Sequence, residues 1–277
     1  MSAGGFGGLR SEAGGSGPGR ERLPSGSPPI HSRGRVRFEL LLGQVLEALP
    51  RPPAEVVDAG GGTGQLAVPL ARLGYRVTVV DTSAAMLATC AQRAADESPE
   101  LAERIVTVQG DAVELPALLG AASQDAALCH EVITCVDDAA AVLGALAEVL
   151  RPGGVLSLTF GNRDWLVLRA GGRGDYPVAL RLLDQPAPAA GAAQHAHHAV
   201  TADELAPHVT KAGFEVVGSY GVSVFASSRD DDVDGAALGA LLELERRVAG
   251  REPYRSGAQV VHLICRRIAA RASQVRP

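Results

Sequence analysis

The sequence predicts an α/β domain with a mostly parallel sheet and helices on both faces. The first observation is that strand-like runs alternate with helical segments between residues 55 and 160, a spacing typical of βαβ units. The second is that glycines or polar residues follow four of these runs, namely Gly60–Gly64, Asp81, Asp111 and His130. Ligands of parallel sheets bind at the carboxyl ends of the strands, so these residues mark a candidate site.

The composition favours a globular protein of the cytoplasm. The chain has 277 residues, of which 46% are hydrophobic and 21% charged, with a net charge of -5. This balance argues against a strongly cationic nucleic-acid binder but leaves room for a local basic groove. The four cysteines contain no CxxC pair and are expected to be reduced core thiols. No apolar run reaches the roughly 20 residues of a membrane span, and no secretion signal is recognisable.

We expect one domain, residues 32–268, between two tails. Residues 1–31 consist mainly of Gly, Ser, Pro and Arg, so they cannot bury enough surface to offset their ordering entropy and are predicted to be disordered. Residues 161–200 combine glycines, prolines and short alanine runs, which predicts an irregular insertion or lid. Residues 269–277 form a C-terminal tail.

The first half of the domain carries clear helix and strand signals. One helical face ends before Pro50 and holds Phe38, Leu41, Leu42, Val45, Leu46 and Leu49. Strands are expected at residues 56–59, 76–80, 105–108, 125–129 and 155–160. Ser83 is the predicted N-cap of a helix whose core face holds Met86, Leu87 and Cys90. A helix at 139–150 is predicted to bury Val142, Leu143, Leu146, Val149 and Leu150.

Regular structure is predicted again from Thr201 onwards. The segment Thr201–Glu204 has the pattern of a capping box, and it opens a helix that ends at Gly213. Short strands are expected at residues 216–217 and 222–225. A helix at 235–249 and a last strand at 260–265 complete the domain.

The glycine cluster, residues 60–64, is the main candidate for a ligand site. Glycines allow the tight turn between a buried strand and a helix, and they let a ligand approach the backbone closely. Asp81 lies about twenty residues later, where an acid can accept hydrogen bonds from both hydroxyls of a ribose. Dinucleotides and S-adenosylmethionine both use this arrangement. A dinucleotide fingerprint needs a third glycine where Gln65 or Ala67 stands, which counts against NAD.

Two segments, Val57–Gly64 and Leu150–Leu156, resemble the signatures of class I S-adenosylmethionine-dependent methyltransferases. The resemblance implies a Rossmann-like fold, a mostly parallel seven-stranded sheet with helices on both faces, and S-adenosylmethionine as the cofactor. From about Arg33 to Arg267 the chain also resembles the bacterial tRNA 5-carboxymethoxyuridine methyltransferases. The segments that carry this likeness are Asp58–Gln65, Leu87, His130, Arg151–Leu158, Phe160–Asn162, Gly174–Tyr176, Gly221–Val222, Leu241–Glu245 and Arg251–Tyr254.

That family methylates the carboxylate of a modified wobble uridine, so modified tRNA is one expected methyl acceptor. The resemblance also implies the residues that bind the cofactor. They are Arg37 at the methionine carboxylate, Gly60, Gly61, Gly62 and Gly64 in the turn, Asp81 at the ribose, Asp111 and Ala112 at the adenine, and His130 in the methyl-donor pocket.

The chemistry of the acceptor decides which further groups the reaction needs. A carboxylate is already ionised at pH 7 and needs no general base. It needs cationic or N–H groups to orient it, and the candidates are Arg163, Tyr176 and Arg251. If the acceptor is a neutral hydroxyl or amine instead, His130 is the candidate base.

Three classes of function remain open. The first is methylation of a modified tRNA uridine. The second is methylation of a small metabolite, which gains weight because residues 180–198 offer only Arg181 and three histidines for RNA phosphates. The third is a non-catalytic S-adenosylmethionine-binding protein or a nucleotide-binding dehydrogenase. No metal site is expected, because His195, His197 and His198 have no carboxylate or cysteine partner at ligand spacing and are predicted to lie in a solvated loop.

Overall fold

Seven strands form the frame of the fold in the computed structural model, which describes residues 32–184, 199–226 and 235–268. They are β1 (Glu55–Ala59), β2 (Arg76–Asp81), β3 (Ile105–Gln109), β4 (Gln124–His130), β5 (Leu150–Gly161), β6 (Phe214–Val222) and β7 (Val260–Arg267). They lie in the order β3-β2-β1-β4-β5-β7-β6. Strands β1 to β5 pair in parallel, whereas β7 runs antiparallel to both β5 and β6. The sheet is therefore mixed, with one reversed strand next to its edge.

Helices cover both faces of this sheet. They are α1 (Ser32–Ala48), α2 (Ala67–Arg72), α3 (Ala84–Glu97), α4 (Pro99–Ala102), α5 (Leu115–Leu119), α6 (Ala139–Val149), α7 (Arg163–Gly172), α8 (Tyr176–Asp184), α9 (Ala202–Lys211) and α10 (Gly235–Val248). A short 3₁₀ turn at Ala112–Glu114 precedes α5.

Neighbouring residues of the central strands belong to opposite hydrophobic clusters, because successive side chains of a strand point to opposite faces. Val57 packs in the cluster that contains residues of α6 and α9. Val56 packs in the cluster that contains residues of α1, α2 and α3. Strands buried on both faces in this way read as continuous apolar runs, which is the pattern that the sequence shows in β1 and β4.

Several local predictions are confirmed by side-chain hydrogen bonds. The hydroxyl of Ser83 accepts from the backbone N–H of Met86 at 3.4 Å and caps α3. Thr201 and Glu204 form the capping box of α9, with bonds of 3.2 and 2.9 Å. The five apolar residues assigned to the buried face of the helix at 139–150 are all buried.

Two predictions about helices need correction. Residues 161–200 were expected to form an irregular insertion or lid, but α7 and α8 occupy residues 163–172 and 176–184, while residues 185–198 lie outside the described ranges. The Asn162 side chain caps α7 by accepting from the Asp164 N–H at 3.1 Å, and the glycines that suggested irregularity lie at the end of that helix. Met86 was expected in the core but is 47% exposed, because the buried face of α3 consists of Leu87, Cys90 and Ala94.

The strand predicted at residues 222–225 is also absent, since β6 ends at Val222. The backbone turns there at Ser223, which has a φ of 61°. The next N–H groups, of Val224, Phe225 and Ala226, all donate to the buried carboxylate of Glu245 on α10. A side chain therefore takes the hydrogen bonds that a neighbouring strand would have taken.

Other predictions fall outside the described residues. These are the two tails, 1–31 and 269–277, and the loop that carries His195, His197 and His198. Within the described ranges, no helix has the length and apolar character that crossing a membrane requires. The prediction of a cytoplasmic location stays a prediction.

Candidate active site

A cavity of 390 Å³ opens at the carboxyl ends of β1, β2 and β4. This volume lies within the range of small-molecule sites, roughly 300–1,000 Å³. Its walls bring together five of the residues that the sequence marked, which are Gly60, Asp81, Asp111, Ala112 and His130. The strand ends therefore converge as expected for a parallel sheet.

The glycine turn after β1 depends on residues without a side chain. Gly60, Gly62 and Gly64 have φ values of 72°, 54° and 73°, in the left-handed region that strains other residues. Gly61 has no such angle, but a Cβ there would lie 2.5 Å from the Asp58 Cγ atom. The turn can therefore pass directly over the end of the strand and leave its backbone facing the cavity.

The Asp81 carboxylate is held in place by this turn. Its Oδ2 atom accepts from the Gly62 N–H at 3.0 Å, and its Oδ1 atom accepts from the Ser83 N–H at 2.9 Å. Each carboxylate oxygen has a further lone pair, and Asp81 lines the cavity. Such a fixed carboxylate is suited to accept two hydrogen bonds from the adjacent hydroxyls of a ribose.

Asp58 lies beneath the turn as a buried acid. Burial, and then the nearby charge of Asp81, raise the pKa of its carboxyl to about 7. The group is therefore partly protonated near neutral pH, which limits the repulsion between the two acids.

Asp111 and Ala112 form the next part of the wall. The Asp111 side chain accepts from the Val113 N–H at 3.0 Å, while Glu114 accepts from the Asp111 N–H at 2.8 Å. This capping box fixes the turn at the end of β3. The aliphatic surface of Ala112 is thereby presented to the same cavity.

His130, at the end of β4, connects the cavity to buried polar groups. Its Nε2 atom lies 2.8 Å from the Ser157 hydroxyl. Burial, the neighbouring His262 ring and the Arg37 charge hold the pKa of His130 well below its usual value. The imidazole is therefore neutral at physiological pH.

A second, smaller cavity of 160 Å³ adjoins the first and shares Glu131 with it. It is lined by Arg37, Glu131, Thr134, Gly161, Asn162, Trp165, Leu166, Ala199, Gln259 and Val260. The Arg169 guanidinium lies 4.9 Å from the centre of the Trp165 ring. The two cavities together offer room for a cofactor and, beside it, for a second reactant.

Sequence reasoning missed Glu131, although it directly follows His130. Its Oε1 atom forms an ion pair with Arg37 Nη2 at 3.1 Å, without the angles of a hydrogen bond. Its φ of 60° is uncommon for a residue with a side chain, and strained backbone of this kind is concentrated at functional sites. Arg37 and Glu131 thus place opposite charges at the junction of the two cavities.

The three acceptor-orienting candidates lie apart from this junction. Arg163 is buried and forms an ion pair with Glu204 of α9. Tyr176 is 66% exposed at the start of α8, and Arg251 is exposed in the turn after α10. None of the three is among the residues that line either cavity.

The cysteines and the acidic residues are the other candidate metal ligands of the chain. Cys90, Cys129 and Cys265 are buried free thiols, as predicted, but Cys135 is exposed and lines the larger cavity. Across the three described ranges, no group of three or more His, Cys, Asp or Glu side chains could hold a metal ion.

Comparison with known proteins identifies the family. A family model described as "Methyltransferase domain" matches residues 57–158. The tRNA 5-carboxymethoxyuridine methyltransferase of Escherichia coli (strain K12) is 30% identical over 248 residues, which are 85% of this chain and 90% of that protein. The chain belongs to the class I S-adenosylmethionine-dependent methyltransferases.

Other methyltransferases match over a smaller part or at lower identity. The ubiquinone biosynthesis O-methyltransferase of Xanthomonas campestris pv. campestris (strain B100) is 34% identical over 135 residues, covering 49% of this chain and 53% of that protein. Magnesium protoporphyrin IX methyltransferase from Synechocystis PCC 6803, solved with bound S-adenosylhomocysteine, has a TM-score of 0.56 at 17% identity and covers 87% of this chain and 90% of that chain. The solved structure establishes the likeness of fold.

The cofactor of this methyltransferase is S-adenosylmethionine. The larger cavity fits it, because a glycine turn, a fixed carboxylate and a neutral imidazole lie along one continuous wall. The particular contacts that Arg37, the four glycines, Asp81, Asp111, Ala112 and His130 make with the cofactor stay predictions.

Proposed function

We propose that this methyltransferase transfers a methyl group to the carboxylate of a modified wobble uridine in tRNA. The observation that carries the proposal is the extent of the match to the E. coli tRNA enzyme, which covers 90% of that protein. The ubiquinone enzyme matches over only 49% of this chain. A match that continues far beyond residues 57–158 supports a shared acceptor as well as a shared donor.

The site suits an acceptor that is already ionised. A carboxylate is a nucleophile at neutral pH, so the enzyme has to hold it in line with the methyl group and exclude water. The smaller cavity adjoins the larger one at Glu131, and we assign it to the base that carries the carboxylate. Trp165 on its wall offers a flat face for stacking, which is a common way to bind an unpaired base.

Helix α7, which lines this cavity, and the neighbouring α8 carry basic residues that suit RNA phosphates. Arg169 and Arg173 lie on or directly after α7, and Arg181 lies on α8. Arg173 and Arg181 are exposed and free to reach phosphates, whereas Arg163 is engaged by Glu204. A local basic surface of this kind can bind RNA although the net charge of the chain is -5.

A small hydroxyl compound is the second candidate acceptor. The O-methyltransferase relative from X. campestris supports it, as does the small volume of the second cavity, 160 Å³. In that case His130, whose imidazole is neutral, is the candidate general base.

The test compares tRNA from a deletion strain before and after incubation with the purified enzyme and S-adenosylmethionine. We expect mass spectrometry of the wobble nucleosides to show conversion of 5-carboxymethoxyuridine to its methyl ester. An enzyme with the Asp81→Asn substitution serves as the negative control. An unchanged nucleoside profile, with cofactor binding intact in calorimetry, would overturn the tRNA assignment and favour a small acceptor.

A further inference from the structure

Four side chains form a continuous hydrogen-bonded chain from the larger cavity to α1. His130 Nε2 lies 2.8 Å from Ser157 Oγ, Ser157 Oγ lies 2.7 Å from His262 Nε2, and His262 Nδ1 lies 2.6 Å from Gln44 Oε1. Ser157 and His262 are fully buried. Polar groups at this depth are retained only when each is hydrogen-bonded, and the chain satisfies that condition through three consecutive bonds.

The strand register explains how residues so far apart in sequence meet. His130 on β4 is opposite Thr159 on β5, and Thr159 is opposite His262 on β7. Residues opposite each other in a sheet point to the same face, and Ser157 shares that face because it is two residues from Thr159. Gln44 completes the chain from α1, which packs against this side of the sheet.

The direction of the hydrogen bonds follows from the chemistry of each atom. Gln44 presents its amide oxygen to His262 Nδ1 at 2.6 Å, and an amide oxygen can only accept, so we assign the proton of His262 to Nδ1. Burial lowers the pKa of His262 to about 3, so the ring is neutral and its Nε2 atom accepts from the Ser157 hydroxyl. The Ser157 oxygen then accepts from His130 Nε2–H. A neutral His130 with its proton on Nε2 has an unprotonated Nδ1 atom.

With the ribose at Asp81 and the methionine at Arg37, as predicted, the sulfur of S-adenosylmethionine would lie beside His130. The sulfur joins the ribose to the methionine side chain. Asp81, the predicted ribose residue, and Arg37, the predicted methionine residue, lie on either side of His130, which is next to Glu131. In the donor the sulfur is a positively charged sulfonium, whereas in the product S-adenosylhomocysteine it is a neutral thioether.

We propose that Gln44, His262 and Ser157 position His130 so that an unprotonated ring nitrogen faces the sulfonium, which makes the site prefer the charged donor over the neutral product. A lone pair stabilises an adjacent positive charge, whereas an N–H group or an imidazolium would repel it. The charges of Arg37 and Glu131, which also face this region, offset each other. The proposal concerns only the donor and does not depend on the identity of the acceptor.

A purely structural role for the chain leads to a different expectation. If Ser157 only satisfied buried polar atoms, its loss would weaken both ligands to the same degree, since they share every atom except the methyl group. If Ser157 instead controls the tautomer of His130, its loss weakens only the interaction with the positive charge of the sulfonium. The ratio of the two dissociation constants therefore separates the two roles without any measurement of turnover.

The experiment is calorimetric titration of S-adenosylmethionine and S-adenosylhomocysteine into the wild-type protein and the Ser157→Ala variant. We expect the dissociation constant of S-adenosylmethionine to rise about 5- to 10-fold and that of S-adenosylhomocysteine to stay within about twofold. Ser223→Ala is the matched control, because Ser223 is a buried serine outside the chain. Equal changes for both ligands, or no change for either, would overturn the proposal.

A second measurement applies even if Ser157→Ala fails to fold. Nitrogen-15 NMR of histidine-labelled wild-type protein reports which ring nitrogen carries the proton. We expect His130 to be protonated on Nε2. Gln44→Leu, which removes the terminal acceptor, should weaken that preference and, like Ser157→Ala, raise the dissociation constant of S-adenosylmethionine relative to that of S-adenosylhomocysteine. A wild-type His130 protonated on Nδ1 would contradict the proposal.

Discussion

Asp81 gives the sharpest test of how the cofactor site is built. In Asp81→Asn, one carboxylate oxygen becomes an NH₂ group of nearly the same size. Both oxygens of Asp81 accept from backbone N–H groups, of Gly62 at 3.0 Å and of Ser83 at 2.9 Å. The new NH₂ group therefore faces a donor whichever way the amide turns, and the variant cannot keep both bonds.

The loss can be estimated from the bonds affected. A hydrogen bond to a charged group contributes about 1.5–3 kcal/mol. The variant loses one such bond to the turn and weakens the predicted bond to the ribose, a combined loss of at most about 3–6 kcal/mol. If half of that loss lowers the affinity for the cofactor, binding weakens by about 1.5–3 kcal/mol, which is ~10- to 150-fold in the dissociation constant.

Calorimetry with both S-adenosylmethionine and S-adenosylhomocysteine is the appropriate assay. Both ligands carry the same ribose, so Asp81→Asn should weaken them equally, unlike Ser157→Ala. Asp96→Asn is the matched control, because Asp96 is an exposed acid on α3 that accepts from the Gln92 side chain. Dissociation constants within twofold of the wild type, or an effect on one ligand alone, would refute the assigned ribose contact.

Three further predictions concern stability and the acceptor. Glu245→Gln should destabilise the fold by about 2–4 kcal/mol in urea unfolding, because the carboxylate accepts three backbone N–H groups. Glu243→Gln, at an exposed position, is the control. Equal losses of stability in the two variants would contradict the reasoning. Asp58 has a folded pKa raised to about 7, so its stability contribution is present below pH ~4 and is lost as the pH rises through 7. Relative to the wild type, the free energy of unfolding of Asp58→Asn should therefore rise by about 3 kcal/mol between pH 5 and pH 8. Parallel pH profiles of the two proteins in urea unfolding would exclude this. Under the proposed function, Trp165→Ala should raise the KM for tRNA by ~10-fold or more with cofactor binding unchanged. Trp165→Phe keeps an aromatic ring for stacking and should leave the KM near that of the wild type. An unchanged KM of Trp165→Ala in steady-state assays would remove Trp165 from the acceptor site.

The larger cavity was predictable because its residues carry local signals. A glycine turn, an acid at the end of the next strand and a capping box each have a pattern that can be read within a few positions. The parallel sheet then determines that Gly60, Asp81, Asp111 and His130 meet, since all of them follow strands that run in the same direction. The sequence predicts that these residues meet because the alternation of strands and helices is enough to place the strand ends at one edge of the sheet.

The buried hydrogen-bonded chain could not be predicted in this way. Ser157 and His262 each lie in a mostly apolar strand, where the neighbouring residues do not indicate which group a single polar side chain contacts. Their contact arises only because β7 runs antiparallel beside β5 and sets Thr159 opposite His262. Glu131 was missed for a related reason, since its partner Arg37 lies on α1, far away in the chain.

Helices α7 and α8 illustrate a different limit. Glycines at 171, 172 and 174 suggested an irregular segment, but glycine disfavours a helix by only about 1 kcal/mol relative to alanine. The Asn162 side chain caps α7, and α7 packs against α8, and both interactions favour the helix. Composition therefore misjudged residues 163–184, where tertiary contacts decide the outcome.

The residues that we assign to the donor site come from both ends of the domain. The matched methyltransferase domain spans residues 57–158, yet Arg37 and Gln44 come from α1 and His262 comes from β7. Between β5 and β7 in sequence lie α7 and the surface that we assign to the acceptor. Because β7 pairs with β5 along seven residues, a substitution that displaces β7 would also displace His262, which is hydrogen-bonded through Ser157 to His130. Under the two proposals, donor preference and acceptor binding are therefore expected to change together when β7 is altered.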